Sequence, residues 1–217
     1  MCADFGRLDG QLRDLRDADI RLLHLDFADG AFVPSLILGP EVFGLLRGHD
    51  EFILESHLML NDPRRFIELF APACASVIVH VEAAPDIGAC IDAIHLHGAR
   101  AGLALNPETP VAAVMPWLGL IDQVLVMTVH PGFASAAFVP ASVEHVREIR
   151  QAADAAGLAL PIEVDGSVNP TTIPALVEAG ADLLVGGSSG LFVPEGLPRA
   201  AALMRAATVR TPFAMDS

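Results

Sequence analysis

The stretch LLHLDFADG, Leu22–Gly30, decides how this chain is read. It begins as an apolar strand and ends in three polar groups, His24, Asp26 and Asp29. In an extended strand alternate side chains share a face, so His24 and Asp26 point the same way. A strand that only filled a core would not carry both on one face. Six further apolar runs follow: FILESHLML, SVIVHVE, RAGLAL, QVLVMTV, LPIEVDG and DLLVGG. Each is separated from the next by enough chain for one helix. Near-continuous apolar strands alternating with helices predict a parallel sheet covered by helices.

Helices are expected over 4–17, 40–48, 63–70, 87–97, 111–118, 141–156, 170–179 and 196–207. Pro40, Pro63 and Pro170 suit first-turn positions, and Gly98 and Gly180 are natural stops. Seven strands and eight helices fit an α/β chain of one (β/α)8 barrel domain over 1–217 whose first strand is missing or truncated. A doubly wound open sheet is the alternative. The barrel is favoured because polar residues gather at the C-terminal ends of many strands. A missing strand would leave two unpaired edges.

The composition narrows the chemistry. The 217 residues carry a formal net charge of −14, which argues against nucleic acid as a partner. No apolar run reaches roughly 18 residues, so no membrane span is expected. Cys2, Cys74 and Cys90 form no CxxC pair and read as reduced thiols of a cytoplasmic protein. All 13 basic residues are arginine. The absence of lysine excludes Schiff-base aldolases, pyridoxal-phosphate enzymes, Walker A loops and barrel decarboxylases built on Asp-Lys-Asp.

His24 and Asp26 end the first recognised strand, His57 ends the next, and Asp165 ends the sixth. Two imidazoles and two carboxylates suit one divalent ion, with Zn, Fe, Mn and Co all compatible. Asp26 and Asp165 would also serve as an acid–base pair on opposite faces of a substrate, inverting a stereocentre through an enediolate. VDGS, Val164–Ser167, and VGGSSG, Val185–Gly190, follow adjacent late strands, where barrel backbone amides commonly gather phosphate. HPGFASAAF, His130–Phe138, is the third candidate donor loop and a candidate lid. Taken alone, Met59 and Met127 read as core. Asp29 shapes a loop with Gly30.

These residues resemble the ribulose-phosphate 3-epimerase family. HLDFADGAFVPSLILGP, SHLML, VHVEA, GLALNPETPV, LVMTVHPGF, FVP, IEVDGSVNPTTIPALVEAGAD and GGSSGLF occur in family order over about residues 2 to 192. The resemblance implies a ribulose-phosphate-binding type barrel and an isomerase that epimerises phosphorylated ketoses at C3. It implies one divalent metal on His24, Asp26, His57 and Asp165, with Asp26 and Asp165 as catalytic acid and base. Substrate-binding positions would be His57, Met59, Met127, Gly132, Phe133, Ala134, Ser135, Gly166, Ser167, Gly187 and Ser188. A homo-oligomer is expected.

Several positions depart from the family. The Pro-Ser-Ile-Leu strand with its substrate-contacting Ser is absent before CADF. Ala28 replaces a methionine, which predicts open space beside the metal. His130 replaces Asn or Asp, and Ala134-Ser135-Ala136 replaces Gly-Gly-Gln. D-ribulose 5-phosphate is the expected substrate, with D-allulose 6-phosphate as an alternative suggested by VDGS and SGLF. A catalytically weak metal- and phosphate-binding barrel is the alternative of another class. An isomerase or aldolase acting on another phosphate sugar is a third.

Overall fold

The computed structural model describes residues 2–133 and 136–208. The seven apolar runs become seven parallel strands: β1 (Leu22–Asp29), β3 (Ile53–Met59), β4 (Ser76–His80), β5 (Arg100–Leu105), β6 (Gln123–Met127), β7 (Ile162–Asp165) and β8 (Leu183–Leu184). An eighth, unexpected strand, β2 (Leu36–Ile37), pairs antiparallel with the end of β1. The sheet order is β2-β1-β3-β4-β5-β6-β7-β8. Helices α1 (Leu8–Asp17), α2 (Val42–Leu45), α3 (Ile67–Phe70), α4 (Ile87–Leu96), α5 (Ser142–Ala155), α6 (Ile173–Ala179) and α7 (Leu197–Thr208) complete the fold. This is the expected (β/α)8-type barrel.

The helices are shorter than the sequence suggests. Segment 111–118 forms two 3-10 turns, Val111–Ala113 and Met115–Trp117, because Pro116 lacks an N–H to extend a ladder. Segment 40–48 keeps only the four residues of α2. Where local signals are complete the helices form as expected. Asp86 caps α4 by accepting from the Ala89 amide at 2.9 Å. Gly180 ends α6 in the left-handed conformation, where a Cβ would meet Arg150 Cγ at 2.7 Å.

Alternation along each strand sorts the side chains. Val77, Val79, Leu103, Leu105, Val124 and Val126 point outward into the core shared with the helices, all fully buried. Each such side chain contributes about 1.5–3 kcal/mol. Ile78, Ala104 and Leu125 form a separate inward cluster. The inward face also carries Glu55, Ser76, Gln123 and Glu163, none more than 1% exposed. Gly102 keeps this interior open, since a Cβ there would lie 2.8 Å from Ile78 Cγ1.

Among the described residues β8 and β1 do not pair, so the barrel has an open seam. A cavity of about 320 Å³ lies along it, lined by Leu22, Leu25, Leu183, Leu184 and residues of α1. Outside the seam, Leu12 and Leu15 of α1 cluster with Leu197 of α7, Leu46 and Phe52. The Arg205 guanidinium donates to the Asp19 carbonyl at 3.1 Å. This helix packing bridges the seam without a strand in it. No helix among the described residues is long and apolar enough to cross a membrane.

Candidate active site

The inward face of β1 presents His24, Asp26 and Ala28, and that of β3 presents Glu55, His57 and Met59. Parallel pairing sets Asp26 beside His57, and Met127 of β6 beside Asp165 of β7. Curling of the sheet then brings its far strands together. Ligand-type atoms of His24, Asp26, His57 and Asp165 all lie within 4.8 Å of one another. Asp26 Oδ1 is 3.1 Å from His57 Nδ1 and 3.6 Å from His24 Nε2.

These groups rest on a buried polar layer. His24 Nδ1 contacts Glu55 Oε1 at 2.9 Å. The other Glu55 oxygen accepts from Ser76 Oγ at 2.6 Å and Gln123 Nε2 at 2.5 Å. Gln123 Nε2 also reaches Glu163 at 3.3 Å. The opposite nitrogen of His24, Nε2, is buried with no hydrogen-bond partner. A buried lone pair or N–H without a partner is costly, and this one faces Asp26. His57 is anchored similarly, its Nε2 lying 2.8 Å from His80 Nε2.

The electrostatics separate the two clustered aspartates, Asp26 and Asp165. Burial pushes Asp26 up, but contacts with His24 and His57 outweigh it and hold the group well below the usual carboxylate range. Burial and the neighbouring charge of Asp26 push Asp165 up. His24 is raised although burial opposes it, because Asp26, Glu163 and Glu55 surround it. Burial and the charge of Glu55 push Glu163 up to about 7 against the pull of His24. Glu82 lies below its ordinary value despite burial, through bonds from His80, the Asn106 amide and Thr109.

A cavity of about 70 Å³ opens beside the cluster. Strand-end residues Asp26, Met59, Met127 and Asp165 line it, so both methionines face the cavity and are not simply core. Its loop residues are Gly132, Phe133, Gly166, Ser167, Gly187 and Ser188. Ala134 and Ser135 lie outside the described residues. Gly166 (φ 112) and Ser167 (φ 50) adopt consecutive left-handed conformations, and a Cβ on Gly166 would meet Val129 Cγ2 at 2.4 Å. The amides of Gly166, Ser167 and Gly187 donate to no acceptor among the described residues. Such a run of free amides forms an anion-binding concavity. Ser167 Oγ ties this turn to the preceding loop by donating to the Ala136 carbonyl at 2.5 Å.

One expectation changes. The space predicted beside Ala28 is filled, since Ala28 packs with Val33 and Met59 against Phe32 and Ile37. The returning strand β2 brings Ile37 opposite Ala28. His130 points away from the cluster into an exposed pair with Glu108 at 3.0 Å. Asp29 behaves as expected: its carboxylate accepts from the amides of Ala31 (2.8 Å), Phe32 (2.9 Å) and Asn61 (2.7 Å). Glu55 and Glu163 were missed as site residues. The available signal was their place two residues before His57 and Asp165, on the same strand face.

The chain is similar to proteins of known kind. It is 39% identical over 191 residues to the ribulose-phosphate 3-epimerase of Bacillus subtilis (strain 168), covering 87% of this chain and 88% of that protein. The ribulose-phosphate 3-epimerase of Mycobacterium leprae is 36% identical over 214 residues, covering 98% and 94%. Among solved structures, a 3-hexulose-6-phosphate synthase superposes with TM-score 0.66 at 19% identity, covering 93% of this chain and 94% of that one. The 3-keto-L-gulonate-6-phosphate decarboxylase of Vibrio cholerae gives 0.65 at 15%, covering 94% and 91%. Those two likenesses concern the fold alone. The family model for the ribulose-phosphate 3 epimerase family matches residues 1–192, and the chain belongs to that family.

Proposed function

We propose that this protein is a metal-dependent ketose-phosphate 3-epimerase that interconverts D-ribulose 5-phosphate and D-xylulose 5-phosphate. The observation that carries the proposal is the meeting of Asp26 and Asp165 at one cavity beside two imidazoles. One carboxylate takes the C3 proton and the other returns a proton to the opposite face, so the stereocentre inverts. The environments of the two groups differ in the sense that acid–base division requires, Asp26 held low and Asp165 pushed up.

The four clustered residues fit a divalent cation. The unpartnered His24 Nε2 and the His57 Nδ1 both face Asp26. Imidazole and carboxylate donors suit Zn, Fe, Mn or Co. When bound, the ion supplies positive charge that stabilises the enediolate. His24, Asp26, His57 and Asp165 would hold it. Met59 and Met127 flank the reacting carbon and keep water from it, while the amides of Gly166, Ser167 and Gly187 bind the phosphate. Ala134 and Ser135 belong to the same proposed phosphate loop. Absence of lysine removes Schiff-base chemistry from consideration.

Incubation of metal-loaded protein with D-ribulose 5-phosphate in D₂O tests the proposal. Deuterium should enter at C3, and D-xylulose 5-phosphate should form. Exchange at C1 alone would mark a 1,2-isomerase. No exchange at all with this substrate or with D-allulose 6-phosphate would overturn the epimerase assignment.

A further inference from the structure

Two imidazoles reach the proposed metal position, and their outward nitrogens are held differently. His24 Nδ1 meets the Glu55 carboxylate directly at 2.9 Å. His57 meets a second imidazole: its Nε2 lies 2.8 Å from His80 Nε2. His80 Nδ1 then lies 3.1 Å from Glu82 Oε2. Glu82 Oε1 accepts from the Asn106 amide at 2.8 Å and from the Thr109 hydroxyl. His57 and His80 are wholly buried, so water cannot replace a missing partner. Phe32 packs on His80 with ring centroids 4.8 Å apart, and the His80 and His57 rings meet edge to edge, 28° from coplanar with centroids 5.0 Å apart.

We propose that Glu82 is a positioning residue which acts through His80 to fix the tautomer of His57, so that His57 Nδ1 offers its lone pair to the cation. This rests on the metal assignment made above. The chain of protons has one consistent order. A carboxylate only accepts, so His80 carries its proton on Nδ1 and donates it to Glu82. His80 Nε2 is then a bare acceptor. The proton of His57 sits on Nε2 and points at it, which leaves Nδ1 free towards Asp26 and the ion. Glu82 therefore does at one remove what Glu55 does directly for His24, the usual carboxylate support of a ligating histidine.

Glu82→Gln is nearly isosteric and reverses the order. The Asn106 amide can only donate, so the new carboxamide must keep its oxygen there and turn its NH₂ towards His80. His80 Nδ1 must then accept, its proton moves to Nε2, and two N–H groups oppose one another or His57 carries its proton towards the ion.

Zinc affinity, measured by chelator competition on wild type, Glu82→Gln and Asp26→Asn, tests this. Supporting partners of metal ligands typically contribute ~10–100-fold in affinity, and that is the loss expected for Glu82→Gln with the circular dichroism spectrum unchanged. Asp26→Asn should lose more. If Asp26→Asn loses zinc while Glu82→Gln stays within about twofold of wild type, the positioning role is overturned and the metal site stands. If neither variant changes zinc affinity, the metal assignment falls and this role falls with it. Long-range ¹H–¹⁵N spectra of zinc-loaded wild type give a reading that needs no variant. The His80 proton is expected on Nδ1, and finding it on Nε2 would overturn the proposal.

Discussion

Asp26 and Asp165 stand on β1 and β7, with four strands between them in the sheet, yet their carboxylates belong to one cluster spanning 4.8 Å. Only a sheet that curls into a barrel brings them together, and their opposed electrostatics make each sensitive to loss of the other. Asp165→Asn keeps the shape and removes the proposed proton carrier. Turnover should fall by ~10²–10⁴ or more, the usual contribution of a positioned acid or base. Far-UV circular dichroism should not change. Near-normal C3 exchange in this variant would defeat the two-carboxylate mechanism.

His57→Ala should lower bound metal, because it removes a donor nitrogen 3.1 Å from Asp26. Glu55→Ala should do so too, by ~10–100-fold in affinity, because it strips the outward nitrogen of His24 of its acceptor. Elemental analysis after dialysis against limiting zinc checks both. Unchanged metal content in His57→Ala would count against its ligand role.

Gly166→Ala places a methyl group 2.4 Å from Val129 Cγ2 at a φ of 112°. Strain of this kind costs about 1–3 kcal/mol. The turn can relieve it only by moving the amides of Gly166 and Ser167. The melting temperature should therefore drop and KM for the phosphorylated substrate should rise. A variant with normal KM would show that these amides do not bind phosphate.

Burial and the nearby His57 depress His80 to about 4, against 6.5 for a free imidazole, although Glu82 pulls the other way. Between those values the unfolded chain binds a proton that the native ring does not. Stability from this group is therefore complete above pH 6.5 and is lost as pH falls towards 4. The shift of 6.5 − 4 = 2.5 units corresponds to about 3 kcal/mol at most. Urea unfolding of chelator-treated protein should show a steeper acid loss in wild type than in His80→Gln, whose side chain does not titrate. Parallel pH profiles would refute this.

The seven strands were legible because helices cover the sheet and bury β4, β5 and β6 almost throughout, and near-continuous burial writes itself into sequence as an apolar run. His24, Asp26, His57 and Asp165 were legible for the opposite reason, as polar groups at the ends of such runs. Local rules also gave the Asp29 loop and the Gly180 stop, where one residue satisfies its own neighbourhood. Only the tertiary structure decided the rest. Whether Ala28 leaves a void depends on Ile37, which reaches it through the short return strand β2. Whether Glu55 and Glu163 are surface charges or supports of His24 depends on three strands curling onto one axis. His80 joins the site because its ring meets His57 across a strand pair. These relationships are set by register and curvature, which are sums over the whole sheet, whereas strand identity and strand-end chemistry are set within a few residues.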